Sequence, residues 1–158
     1  MDTQWWLKQN DRPGVNSDFE CKNEDEIIGR LKDIVYRNRG KLLFFAAHHP
    51  FKTYGPHGGY FNLRRHVFPL TEINENLYIP LPGLGSLYPM LRGTFGNIQD
   101  LKHPEYKDMI AKLDEVLAQH PHCLRLAGHE HSLQYINLNN QDYIVSGAAS
   151  KISPVRTG

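Results

Sequence analysis

The histidines are the residues of this sequence best suited to chemistry. Nine occur among 158 residues, and four of them form two groups: His48 beside His49, and His129 and His131 on either side of one glutamate. Neutral imidazole binds Fe, Zn and Mn. If the backbone stays extended, the side chains of His129 and His131 project to the same side, and their Cα atoms lie about 6–7 Å apart. Such a pair can serve two metal ions roughly 3.5–4 Å apart. A His-x-His pair alone is as often two histidines without a ligand role.

Each histidine group directly follows a short apolar run. Residues 42–47 (LLFFAA) and 123–127 (CLRLA) each predict a strand that is buried on both faces. The histidines would then lie at the carboxyl ends of two strands, which is the edge where ligands bind in open α/β sheets. Gly128, before the second group, permits a turn and a close approach of the backbone.

Two helices are expected to support these strands. Asn23 is a candidate N-cap, Glu26 completes a capping-box variant, and the apolar stripe that follows ends at Gly40, which is expected to close the helix. The second helix is predicted over residues 104–119, where Pro104 suits the first turn.

The C-terminal part of the sequence predicts two more strands. Residues 133–138 and 143–146 are separated by the turn-forming segment 139–142, which indicates a hairpin. The order of helix, strand, long loop, helix and three strands favours an α/β layer in which helices cover a largely buried sheet. A chain of 158 residues fits one domain.

Composition excludes several classes of function. The formal net charge is +1, so nothing in the charge balance indicates a nucleic-acid partner. No apolar run approaches the ~18 residues of a membrane span, and the N-terminus lacks the pattern of a signal peptide. Cys21 and Cys123 are expected to be free or buried thiols, and a single bridge between them stays open.

The combination of motifs resembles one family. Residues 127–135 (AGHEHSLQY) closely resemble the Gly-His-Asp-His-Asn-Leu-Gln-Tyr segment of the purple (tartrate-resistant) acid phosphatases, which are calcineurin-like metallophosphoesterases. His48-His49-Pro50 resembles their His-x-Pro element, and His57 stands nine positions after His48, where the family has another histidine. With the segments DTQWWL and YIVSGA, the resemblance covers residues 1–57 and 105–150 in the same order.

This resemblance implies a role for each matching histidine. His48 and His129 would bind the second, divalent metal, and His131 would bind the first metal, which is iron in the purple enzymes. His57 would contact the substrate phosphate or protonate the leaving group, although its Gly-Pro-His-Gly-Gly loop could also be a solvated turn. The cofactors implied are two metal ions, Fe with Zn, Mn or Fe. The reaction implied is hydrolysis of a phosphomonoester, with hydroxide generated at the metal pair.

The other histidines receive weaker interpretations. His49 would point away from His48 in an extended chain and is interpreted as structural or as a support for the ligands. His66, with Arg64 and Arg65, could add positive charge near a phosphate, but a solvated basic turn is the simpler interpretation. No role is predicted for the three remaining histidines, at positions 103, 120 and 122.

The carboxylates of such a site are missing from this sequence. The family supplies them from Asp-x-His, Gly-Asp and Gly-Asn-His motifs, and Gly96-Asn97-Ile98 does not qualify because it lacks the histidine and lies between the two histidine motifs. We therefore expect the C-terminal half of an α/β/β/α sandwich whose partner is the N-terminal half of the same domain. This half is expected to bind metals weakly or not at all and to be inactive alone.

Other possibilities stay open at this point. The chain could be a naturally shortened homologue without catalysis, an interaction module on a phosphatase scaffold, or a mononuclear zinc site built from His48, His129 and His131. Residues 58–104 are expected to form an insertion, either an irregular lobe or a lid or docking surface whose apolar part is residues 77–92. Association with a membrane is left open. The family resemblance favours a secreted or periplasmic location.

Overall fold

The computed structural model describes residues 1–8, 16–72, 74, 76–87, 90, 97–149 and 152–156. Within these residues, the helices and strands with defined bounds are, in chain order, α1 Thr3–Leu7, α2 Glu24–Arg37, β1 Leu43–Ala47, α3 Leu63–Val67, α4 Pro104–Leu117, β2 Cys123–Ala127, β3 Leu133–Leu138 and β4 Gln141–Ser146. Two short 3-10 turns, Pro56–Gly58 and Pro69–Glu72, flank α3. The molecule is a mixed α/β fold, as the sequence predicts.

The N-termini of the two long helices are capped by side chains. In α2 the Asn23 side chain accepts a hydrogen bond from the backbone N–H of Glu26, and the Glu26 carboxylate accepts one from the Lys22 N–H at 2.7 Å. This confirms the predicted capping-box variant. α4 begins at Pro104 as predicted, and its cap is His103, whose ring accepts from the N–H of Glu105. This cap was not predicted, because histidine is not a preferred N-cap residue.

The predicted C-terminus of α2 is wrong by two residues. The helix ends at Arg37, and Asn38 takes the C-cap position that was expected near Gly40. The Asn38 side chain donates to the Ile34 carbonyl at 2.8 Å, and the buried His120 ring donates to the Asn38 carbonyl at 3.0 Å. These bonds satisfy helix-end carbonyls without a left-handed glycine.

The four strands form one sheet in the order β1-β2-β4-β3. β1, β2 and β4 are parallel, whereas β3 pairs with β4 in antiparallel fashion. The hairpin between β3 and β4 is confirmed, and its turn is only two residues long, because Asn139 and Asn140 both have left-handed φ values, 53° and 58°. Asparagine is one of the few side chains that tolerate this conformation, which matches the twist of a hairpin.

One face of the sheet is covered by the helices. Phe45, Cys123, Tyr143 and Ile136 lie on this face and are buried against a core whose helical members are Trp6, Leu7, Val35, Tyr106, Met109, Leu113, Val116 and Leu117. The face also buries Arg125, whose guanidinium pairs with Asp114 of α4 at 2.7 Å. This face and its helices form the hydrophobic core.

The opposite face of the sheet is open. Phe44 of β1 is 57% exposed, and Leu133 and Tyr135 of β3 are 75% and 68% exposed. Between them, the side chains of Leu124 and Ile144 are half-buried. The prediction that β1 and β2 are buried on both faces is therefore wrong for this chain. Their continuous apolar sequences supply two apolar faces, but the described residues cover only one.

The described residues between 58 and 104 include short helical elements of their own. Tyr78 packs on Phe68, with ring centroids 5.6 Å apart, and the Leu81 N–H donates to the carbonyl of Val67 at 2.8 Å. Exposed apolar side chains remain at Leu63 and Leu84. Part of the apolar stretch 77–92 lies outside the described residues. Among the residues described, no helix is long and apolar enough to cross a membrane.

Candidate metal centre

The parallel pairing of β1 and β2 brings the two histidine groups together. Ala47 and Ala127 are partners at the end of the ladder, and the Gly128 N–H continues it by donating to the His48 carbonyl at 3.1 Å. As a result, Nε2 of His48 lies 3.1 Å from Nδ1 of His129. The sequence predicted that both rings would meet at the carboxyl edge of the sheet, and they do.

Hydrogen bonds define which nitrogens of these rings carry protons. Nε2 of His129 lies 3.0 Å from the carbonyl oxygen of Gln99, which can only accept, so Nε2 is the protonated nitrogen. Nδ1 of His129 then presents its lone pair to His48, whose Nε2 donates. In a tetrahedral site with bonds of 2.0–2.1 Å, ligand nitrogens lie about 3.3–3.4 Å apart. The two nitrogens are therefore placed almost as they would be around one metal ion.

The backbone of His129 differs from the extended conformation assumed for the His-x-His pair. His129 has a left-handed φ of +60°, and the Glu130 N–H donates to the Gly128 carbonyl at 2.6 Å in a tight turn. The backbone is therefore not extended at His129, so the geometry expected for an extended His-x-His pair does not apply here. A non-glycine residue with this φ is uncommon and often marks a functional site.

His131 lies outside the cluster of ligand atoms. Among the described residues, one group of three could hold a metal ion, and it consists of His48, His49 and His129, with ligand atoms within 4.8 Å of one another. The His131 carbonyl accepts from the N–H of Ser153 at 2.6 Å, which ties the motif to the C-terminal segment. His131, the third predicted ligand, is therefore not a member of this group.

His49 is a fully buried support for this cluster. Its Nδ1 is hydrogen-bonded to the hydroxyl of Thr3 at 2.8 Å, and its Nε2 to the side-chain oxygen of Gln99 at 2.9 Å. Because both ring nitrogens are engaged, His49 can bind a metal only by giving up one of these bonds. It also packs edge-on against the buried ring of Tyr106, whose hydroxyl donates to the Pro50 carbonyl. These contacts agree with the interpretation of His49 as structural.

His57, in the loop after β1, packs against this cluster. It lies in the 3-10 turn Pro56–Gly58, and its ring centroid is 4.0 Å from that of His129. Its Nδ1 lies 2.8 Å from Oδ1 of Asp100, a side chain that is almost fully buried. The sequence left open whether this loop was a solvated turn. The structure instead packs His57 against the predicted ligand His129.

Burial keeps the imidazole rings of His129 and His49 neutral. Removal from water is the main reason that the pKa of His129 is lowered to about 3, and the neighbouring His57 contributes in the same direction. Burial likewise lowers the pKa of His49. A neutral imidazole is the form that binds a metal ion, so His129 is ready to act as a ligand over the whole physiological pH range.

The buried carboxylate of Glu130 organises the His57 loop, a role that the sequence did not predict. Its Oε2 accepts from the backbone N–H of His57 at 3.0 Å and from the Thr53 hydroxyl at 3.4 Å. Gly55 is needed beside it, since a Cβ there would lie 2.3 Å from the Glu130 carboxyl carbon. The only sequence signal was an acidic residue between two histidines.

The remaining histidines and cysteines lie apart from the cluster. His66 contacts the Ser86 hydroxyl at 3.2 Å. His120 is buried just after α4 and links it to the end of α2, because its Nε2 donates to the Asn38 carbonyl; its Nδ1 accepts from the His122 N–H. Both cysteines are free thiols, as expected, and burial raises the pKa of Cys123.

Comparison with known proteins returned no match. No protein-family model, curated protein or solved structure resembles this chain closely enough to be assigned to it. Interpretation of the site therefore depends on its own geometry.

Proposed function

We propose that this chain supplies the histidine ligands of the metal site in a metal-dependent phosphoester hydrolase of the purple acid phosphatase type. The observation that carries the proposal is the pairing of His48 Nε2 with His129 Nδ1, 3.1 Å apart at the ends of two adjacent parallel strands. His48 is exposed and His129 partly so, which leaves the pair accessible to a metal ion and a substrate.

His57 is proposed as the group that contacts the phosphate or protonates the leaving oxygen. The ring stands against His129, and the Asp100 carboxylate beside its Nδ1 would stabilise an imidazolium. A bound metal pair would supply Lewis-acid activation of the phosphoester and of the attacking water. His131, which is outside the cluster, is the proposed ligand of the first metal. This first metal is Fe, and the second is Zn, Mn or Fe.

The proposed site is incomplete within the described residues. The two buried carboxylates nearest the histidines, Asp100 and Glu130, each accept hydrogen bonds from the His57 segment, and neither belongs to the group of ligand atoms. We infer that a second half-domain supplies the ligand carboxylates and packs its own sheet on the open face of this one. The exposed apolar residues Phe44, Leu133 and Tyr135 support this inference, because two packed sheets bury such faces.

Metal titration of the chain tests the ligand assignment. Because the site is incomplete, calorimetric titration with Zn²⁺ should show a single weak binding event, and His48→Ala or His129→Asn should each weaken it by roughly tenfold or more. His122→Asn is the control, because this exposed ring lies outside the cluster. Equal Zn²⁺ binding by the wild-type chain and both site variants would contradict the assignment.

Hydrolysis is tested on a chain that joins these residues to an upstream half carrying the three carboxylate motifs. This protein should hold two metals and hydrolyse an aryl phosphate, and His129→Asn should abolish turnover. His57→Asn should lower kcat while leaving the metal content unchanged. Full turnover in the His129→Asn variant would refute the hydrolase assignment.

A mononuclear zinc site is the second candidate function. It is favoured by the compact group His48, His49 and His129, which contains no carboxylate. In this case the joined protein would hold one Zn²⁺ and would not hydrolyse the phosphate, and His49→Phe would remove the metal.

A further inference from the structure

The turn formed by residues 97–101 contacts three histidines that belong to three other segments. The Gln99 carbonyl accepts from His129, the Gln99 side-chain oxygen accepts from His49, and the Asp100 carboxylate accepts from His57. In addition, the Leu101 N–H donates to the backbone carbonyl of His57 at 3.0 Å. This turn ends the 58–104 insertion, for which the sequence predicted only a lobe or a lid.

The turn is itself held in place by hydrogen bonds. Asp100 is 2% exposed, and its second carboxylate oxygen accepts from the Asn97 N–H at 2.8 Å. The backbone N–H of Asp100 donates back to the Asn97 carbonyl at 2.8 Å, and the His103 N–H donates to the Asp100 carbonyl. Because His103 caps α4, the turn is anchored to one of the two long helices.

We propose that residues 97–101 are a positioning element that sets the protonated nitrogen of each histidine at the site. A carbonyl or carboxylate oxygen can only accept, so each contact places the proton on the nitrogen that faces the turn. His129 is thereby fixed with Nδ1 as its lone-pair donor, and His57 with its proton on Nδ1. The proposed function gives these assignments their use, since outer hydrogen bonds of this kind orient metal-binding histidines.

The Asp100 contact can be tested by a substitution with a defined outcome. Among the described residues, Asp100 accepts from the N–H groups of His57 and Asn97. In Asp100→Asn the side chain must turn its NH₂ toward one of them. The backbone N–H of Asn97 cannot adapt, whereas His57 can release its Nδ1 proton and accept. We therefore expect the His57 ring to switch to the Nε2–H tautomer.

A second substitution distinguishes the contribution of the Gln99 side chain from that of the Gln99 backbone carbonyl. Gln99→Leu removes the acceptor for His49 but keeps the carbonyl that faces His129. The His49 tautomer should then no longer be held, while His129 remains protonated on Nε2. A merely structural role would not produce a change confined to one ring for each substitution.

The measurement is long-range ¹H–¹⁵N NMR of the metal-free chain at about pH 8, above the ordinary imidazole pKa of about 6.5. Asp108→Asn is the matched control, because Asp108 is half-exposed on α4 and pairs with Lys112. The proposal is overturned if wild-type His129 is protonated on Nδ1, if wild-type His57 is protonated on Nε2, or if folded Asp100→Asn keeps the wild-type His57 tautomer.

The wild-type spectrum alone decides the matter if the Asp100 variant does not fold. No metal or substrate enters this measurement, so its outcome is independent of the Zn²⁺ titration and the hydrolysis assay. Correct tautomers without metal binding would retain the positioning element and refute the hydrolase site. Metal binding together with the opposite tautomers would refute the positioning element and retain the proposed metal site.

Discussion

At the scale of single residues, His129 combines a ligand position with an unfavourable backbone. Its φ of +60° costs an ordinary side chain about 1–2 kcal/mol, and asparagine tolerates it best after glycine. The imidazole makes hydrogen bonds at both nitrogens, to Gln99 and to His48. We interpret the strained backbone as the cost of aiming the ring at His48.

This strain predicts different stabilities for two variants that both lack the ring. His129→Asn and His129→Val remove the same hydrogen bonds and the same metal ligand. Valine is branched at Cβ and should be about 1–2 kcal/mol less stable than asparagine at a left-handed φ. Urea unfolding of the two metal-free variants measures the difference. Equal free energies of unfolding would show that the backbone at residue 129 is not strained in solution.

The pKa of His129 predicts a loss of stability in acid. The ring titrates near pH 3 when folded and near the ordinary value of about 6.5 when unfolded. Between these values the unfolded chain binds a proton that the folded chain does not. The free energy of unfolding should therefore fall as the pH decreases from about 6.5 toward 3.

Urea titrations of the metal-free chain at several pH values measure this slope. Around His129 stand His48, His49 and His57, and burial also lowers the pKa of His49, which adds a slope of the same sign. His129→Asn should flatten the dependence without removing it. A variant as acid-sensitive as the wild type would argue against a depressed pKa at His129.

At the scale of elements, the loop that carries His57 depends on a buried carboxylate. Glu130→Ala leaves the His57 N–H and the Thr53 hydroxyl without their acceptor. An unsatisfied buried donor costs about 1–3 kcal/mol, so the free energy of unfolding should fall by about 2–4 kcal/mol. The amide of His57 should also exchange its hydrogen faster. Glu115→Ala, at an exposed position of α4, should change neither measurement.

The contact between α4 and the sheet depends on a buried ion pair. Arg125 of β2 is 3% exposed, and its Nε donates to Asp114 at 2.8 Å. Asp114→Ala leaves the guanidinium buried and without its counter-charge, so we expect a loss of about 3 kcal/mol. The double variant Asp114→Leu/Arg125→Met should recover much of this loss, as measured in a double-mutant cycle. Additive effects of the two sites would show that the pair is not coupled.

At the scale of the whole molecule, the open sheet face is the largest departure from the expected fold. Exposed residues of β1 and β3 flank half-buried apolar residues of β2 and β4, so one side of the sheet is apolar and in contact with solvent. Contiguous apolar surface of this kind marks an interface or a liability for aggregation. The proposed second half-domain would cover it.

This face predicts self-association of the chain by itself. Phe44→Lys and Leu133→Lys place charges on the open face, where both side chains are more than half exposed. Sedimentation should show less association, with little change in the free energy of unfolding. Ile152→Lys is the control, because Ile152 is 81% exposed and lies outside the sheet. A monomeric wild-type chain that does not bind an apolar dye would contradict the prediction.

Local sequence signals determined much of the fold. The Asn23 cap, Pro104 and the Asn139-Asn140 turn each act within a few residues, and the helix and strand positions that they indicate are present. The apolar runs before His48 and His129 placed both rings at one edge of the sheet, because parallel strands end on the same side. The strand pattern alone was therefore enough to predict which edge of the sheet carries these two histidines.

Only the tertiary structure decided which other groups complete the site. Asp100 meets His57 across 43 residues, the Gln99 carbonyl meets His129 across 30, and Glu130 meets His57 across 73. Contacts over such separations leave no periodicity in the sequence. Local patterns likewise could not show that His129 takes a left-handed φ, or that helices of the described residues cover only one face of the sheet. An apolar run records that a strand can be buried on both sides, whereas the partners that bury it are set by packing.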